Sequence, residues 1–147
     1  MNKIVGAFFA SLLVLDSACA GDEGDVYAYA LFGRQVRTGV YEGTVAAGYC
    51  FWDSWGLAPV FDQMSDAYNV SIEGRYFFEP FETAVGLGMM SRRDRLQKVL
   101  YLPLFTGSAS YLLALTPSLA FKFESKGQFL WEDKGTLNLA AGIRFLY

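Results

Sequence analysis

The sequence predicts an all-β chain: a cleaved signal peptide, then one eight-stranded antiparallel up-and-down β-barrel that crosses a membrane with its strands. Three observations carry that prediction. Residues 1–20 have the layout of an export signal. Apolar and polar residues then alternate over segment after segment, which is the period of a strand with two unlike faces. Finally, 53% of the residues are apolar and 17% aromatic, yet no apolar run after Leu15 approaches the ~20 residues of a spanning helix. A soluble domain this short would struggle to hide so many aromatics, whereas a barrel in lipid wears them outside.

The export signal begins with the positive Met1-Asn2-Lys3, continues through an apolar run at 4–15 and ends on the small residues Ala18-Cys19-Ala20. Cleavage is expected after Ala20, which leaves residues 21–147 as a single barrel domain. A cysteine in this place also suits lipidation. A lipobox, however, has leucine three residues earlier, where this chain has Asp16, so lipidation of Cys19 stays the alternative. Beyond the cleavage point Cys50 is the lone cysteine, so no internal disulfide is available to the exported form.

Each strand follows from its own alternation. Residues 25–34 put Tyr27, Tyr29 and Leu31 on one face. Residues 39–50 set Tyr41, Val45, Ala47 and Tyr49 against Glu42, Thr44, Ala46 and Gly48. Residues 68–78 set Tyr68, Val70, Ile72 and Tyr76 against Asn69, Ser71, Glu73 and Arg75. Residues 81–89 oppose Phe81, Val85, Leu87 and Met89 to Glu82, Ala84, Gly86 and Gly88. Residues 119–124 set Leu119, Phe121 and Phe123 against Ala120, Lys122 and Glu124. Weaker signals, like that of 25–34, cover 99–110, with Pro103 inside and a bulge expected there, and 128–131. The last strand sets Leu137, Leu139, Ala141, Ile143, Phe145 and Tyr147 against Thr136, Asn138, Ala140, Gly142 and Arg144.

A membrane strand takes ~10 residues, so eight strands use about 80 and twelve would leave almost nothing for turns. The connections then fall at 35–38, 52–67, 79–80, 91–98, 112–116, 125–127 and 132–135. With both termini on the inner side, this layout puts short connections outside and the long 52–67 segment inside. That inverts the usual barrel pattern.

The polar parity collects Glu42, Glu73, Arg75, Glu82, Lys122, Glu124 and Arg144. In a narrow interior, charges so nearly balanced in sign are expected to form an ion-pair network that fills the lumen; a proton or ion path is the sharper alternative. Catalysis is not expected. The chain has no histidine, the residue whose pKa best suits a general base, and nothing brings a nucleophile to the carboxylates Glu73 and Glu82. The Gly-x-Gly at Gly86 and Gly88 lacks the third glycine and the helix of a nucleotide site. No cofactor or metal is expected, and a net charge of −3 argues against nucleic acid.

Arg92, Arg93, Arg95 and Lys98 form the one basic cluster, suited either to anionic lipid headgroups or to a solvated turn. Trp52, Trp55, Phe61, Tyr68, Tyr76, Tyr101, Tyr111 and Trp131 lie near strand ends, where aromatic girdles mark a membrane interface.

Ile143, Phe145 and Tyr147, together with stretches such as "RYFFEPFETAVGLGMM" and "VLYLPLFTGSASY", give the chain a pattern that resembles the small outer-membrane β-barrel superfamily. That superfamily includes the opacity proteins and the membrane domain of outer membrane protein A. The resemblance implies a bacterial outer-membrane location, contact with outer-membrane lipid, and recognition of the last strand by the barrel-insertion machinery. It implies a structural or surface-interaction role with a filled lumen. Two other functions stay open: a narrow channel or binder for small hydrophobic molecules, and a soluble lipocalin-like periplasmic lipid binder.

Overall fold

A computed structural model describes residues 22–93, 98–131 and 135–147. The signal segment and Arg95 lie outside the described residues. Eight strands run in chain order: β1 (Val26–Gln35), β2 (Tyr41–Trp52), β3 (Trp55–Met64), β4 (Ala67–Phe78), β5 (Phe81–Arg93), β6 (Val99–Thr116), β7 (Leu119–Leu130) and β8 (Thr136–Leu146). Each pairs antiparallel with its sequence neighbours, and β8 returns to β1 to close the barrel. Closure removes both sheet edges, the condition a sheet must meet in hydrocarbon. At the seam Val26 N–H donates to the Tyr147 carbonyl at 2.9 Å and Tyr147 N–H donates back at 2.7 Å.

The structure corrects four sequence expectations, one of them the connection placed at 112–116, which is the end of β6. Segment 52–67 is not a long connection: it holds all of β3, preceded by a two-residue turn at Asp53 and Ser54. Ser54 takes the left-handed conformation that so tight a turn requires, with φ 66°. Residues 125–127 are not a turn but the middle of β7, so the pieces at 119–124 and 128–131 are one strand. Pro103 carries no bulge against β5, where it continues an unbroken ladder opposite Met89. Its carbonyl points the other way and accepts from Trp131 N–H just past the end of β7, so the missing proline N–H interrupts no ladder. The break comes instead at Pro59: the β2–β3 ladder stops after Ala46↔Val60 and resumes at Tyr49↔Leu57.

These corrections restore the ordinary barrel polarity. The connections at the end shared with the termini are two residues each, at 53–54, 79–80 and 117–118; at the opposite mouth 65–66 is equally short, while the links from β1 to β2, β5 to β6 and β7 to β8 are five residues each. The terminal end thus matches the short-turn side of outer-membrane barrels.

Candidate functional site

Outward residues are apolar along almost every strand. Val85 and Leu87 on β5, Val70 and Ile72 on β4, and Leu137 and Leu139 on β8 are all exposed. Aromatic rings concentrate toward the two ends. Trp55, Tyr76, Phe78 and Phe81 form a chain of contacts with centroids 4.9–5.8 Å apart near the terminal end. Phe32 against Tyr41 and Phe61 against Tyr68 mark the other end. Of the eight aromatics singled out from the sequence, seven are exposed and Tyr111 is half-buried against Phe81. The first strand departs from the pattern: Tyr27, Tyr29 and Leu31 point inward and are buried.

The lumen is filled rather than open. Glu42, Glu73, Arg75, Glu82, Lys122, Glu124 and Arg144 all lie inside, each at most 4% exposed. Two residues join them that sequence reasoning missed, Asp62 on the overlooked β3 and Lys126 in the supposed turn. The inward alternation of β3 and β7, once those strands are continuous, is the signal that finds them.

These nine side chains form one connected network. Lys126 bridges Asp62 at 2.8 Å and Glu73 at 3.1 Å. Arg75 joins Glu73 at 2.5 Å, donates to Glu82, and stands 3.8 Å from Glu124. Lys122 spans Glu82 at 2.6 Å and Glu124 at 3.0 Å, while Arg144 lies 3.9 Å from Glu82. Gln128 links Glu42 and Asp62 through bonds of 2.9 and 3.4 Å, and the Thr44 hydroxyl donates to Asp62 at 2.7 Å. Charges taken out of water in so small a space are tolerable only because each acid finds a base or a polar donor. Tyr29 ties this charged half to the apolar wall of β1–β3, since both Arg75 and Lys122 stack on its ring and Arg75 donates to its hydroxyl.

The two ends of the lumen differ. Toward the termini, Tyr27 meets Phe77 edge to face at 5.4 Å beside the buried, free Cys50, and the Arg144 guanidinium covers Phe77 at 4.7 Å. Gly48 makes room for this plug, because a Cβ there would lie 2.3 Å from the Tyr27 ring. At the opposite mouth Met64, Ala67 and Met90 form an apolar floor, flanked by Val40 and Leu130. Above that floor is a cup of ≈ 510 Å³.

Arg92, Arg93 and Lys98 are exposed at this same mouth. Outside the barrel wall, Arg93 also lines a cleft of ≈ 540 Å³ with Ser91, Tyr68 and Tyr101. Ile143, Phe145 and Tyr147 share the outward face of the closing seam, and the last two rings stack at 6.4 Å. Among the described residues no group of three or more acidic, cysteine or histidine side chains could hold a metal ion.

Neither a family model nor a curated protein sequence matches the chain. Solved structures do match. The N-terminal β-barrel domain of Pseudomonas aeruginosa OprF is similar with a TM-score of 0.69 at 19% identity, over 85% of this chain and 98% of that one. The outer membrane protein OprG of the same organism gives 0.60 at 10% identity, over 86% and 97%. Neisserial surface protein A gives 0.57 at 15% identity, over 82% and 95%. Likeness at these identities speaks to architecture alone, and what it establishes is that this chain has the fold of the small eight-stranded outer-membrane β-barrels.

Proposed function

We propose that the chain is an exported bacterial outer-membrane barrel with a blocked lumen, which serves a structural or surface-interaction role and carries out no catalysis. One observation carries this reading: the barrel is inside out relative to a soluble protein, with Leu87, Val85 and Ile72 among the most exposed side chains and Arg75, Lys122 and Arg144 among the most buried. Such a surface is favourable only against hydrocarbon. A soluble lipid binder would turn the charged parity to water and keep an apolar cavity, which is the reverse arrangement.

Charge at the two ends supports an orientation. Among the described residues, Asp22, Glu23, Asp25, Asp53 and Glu79 near the termini are acidic, while the far mouth carries Arg34, Arg37, Arg92, Arg93 and Lys98 with Asp66. Basic groups at the rim of the aromatic belt meet anionic headgroups, so Arg92, Arg93 and Lys98, with Arg95 beyond the described residues, contact lipid in this reading. Ile143, Phe145 and Tyr147 serve as the strand read by the insertion machinery. Passage of small hydrophobic molecules would need an apolar path, and the nine-charge network occupies that space.

Purified protein in a planar bilayer tests the blocked lumen. The expected record shows no stepwise conductance at moderate voltage. Regular ohmic steps would contradict the filled interior and restore the channel reading.

A further inference from the structure

The outer cup is built differently from everything beneath it. One inward step below the floor the lumen turns polar on three strands: Met64 is followed by Asp62 on β3, Ala67 by Asn69 on β4, and the flanking Leu130 by Gln128 on β7. There the Gln128 amide donates to both Glu42 and Asp62 and closes the passage with them. The cup above is therefore a dead end. Its floor is apolar at a mouth where water is available, and filling the barrel does not require apolar residues there, since polar ones do so elsewhere.

Among the described residues around that apolar floor stand three guanidiniums, Arg37, Arg92 and Arg93, and one carboxylate, Asp66. Thr38 and Gln35 fix the first loop over the floor, the threonine hydroxyl donating to the Gln35 amide oxygen at 2.7 Å and the Gln35 amide contacting the Met64 sulfur at 3.2 Å. Methionine adapts its shape to an apolar guest. Guanidinium groups bind carboxylate and phosphate oxygens in pairs. The volume suits a small ligand, in the range of about 300–1,000 Å³ common to such sites.

We propose that this cup binds an anionic amphiphile, an alkyl chain lying on Met64 and Met90 with its carboxylate or phosphate held by Arg37, Arg92 and Arg93. The proposal rests on the membrane reading only in assigning this mouth to the outer side. The same head-group chemistry has two sources, a free fatty acid or the headgroup of a neighbouring anionic lipid.

Methionine methyl NMR in phosphatidylcholine nanodiscs separates them, on protein first shown to be folded by its unheated gel mobility. Met64 and Met90 report the cup, and Met89, next in sequence but facing outward, reports partition into lipid. Decanoate is expected to shift Met64 and Met90 saturably while Met89 follows only bulk partition, and decyltrimethylammonium is not. The R37Q/R93Q variant should weaken the decanoate response roughly tenfold, since bonds to charged groups are worth more than neutral ones. If anionic lipid in the nanodisc shifts Met64 and Met90 without decanoate, the occupant is a lipid headgroup and the same chemistry holds. No saturable shift with either anion, or an equal response to the cationic amphiphile, overturns the proposal. Because the protein tested is already a folded barrel, that failure leaves the membrane assignment to be judged by fractionation.

Discussion

The Lys122 ammonium lies 4.0 Å from the centre of the Tyr29 ring, and the Arg75 guanidinium stands 4.5 Å from the same centre. One aromatic side chain therefore shields two buried cations and also accepts a hydrogen bond from Arg75. Replacing Tyr29 by alanine removes the ring and opens a void beside two charges, so Tyr29→Ala is expected to cost about 3–5 kcal/mol, the range for a large aromatic in a core. Tyr29→Phe keeps the ring and loses only the hydroxyl, at about 1–3 kcal/mol. Urea unfolding in lipid vesicles, followed by tryptophan fluorescence, measures both. Equal losses would show that the ring itself contributes nothing.

Glu82 is the acid on which most cations converge, with Arg75 and Lys122 bonded to it and Arg144 at 3.9 Å. Glu82→Ala leaves those cations short of a counter-charge and should destabilise the barrel by about 3–5 kcal/mol. The double change Glu82→Ala with Lys122→Met should be less damaging than the single one, because it removes charge of both signs together. The same unfolding assay decides this, and simple additivity of the two losses would contradict the coupled network.

Gly142 sits at the closing seam, where a Cβ would stand 1.9 Å from the Ala30 carbonyl oxygen. Backbone cannot yield there without parting β8 from β1. Gly142→Ala should therefore abolish the compact, faster-migrating form of the unheated protein on a gel. Gly107, where an added Cβ would meet nothing within 4 Å, is the control that should fold as wild type when changed to alanine.

Much of the barrel is legible in the sequence because alternation and burial coincide on β2, β4, β5 and β8. The rest was hidden for physical reasons. On β3 the inward residues Ala58, Val60 and Met64 are as apolar as the outward Leu57 and Phe61, and Ala58 and Val60 belong to the apolar wall that includes Tyr27 and Phe77. Both faces therefore look alike, and Pro59 argues further for a loop. On β7 the run Ser125-Lys126-Gly127 reads as a turn, yet Lys126 is a paired interior cation. On β1 the greasy face is the inner one, because tyrosine offers both a ring for cations and a polar tip. The outer cup was invisible because its floor comes from three different strands, and its arginines from the first connection and the end of β5.

A barrel that lives in the outer membrane is the central claim, and it is tested most directly by fractionating cells that express the full-length chain and comparing heated with unheated samples on a gel. Wild type is expected in the outer membrane, migrating faster when unheated, and a variant lacking residues 145–147 should lose that form. Recovery of wild type in the soluble periplasm, with mobility unchanged by heating, would contradict the claim.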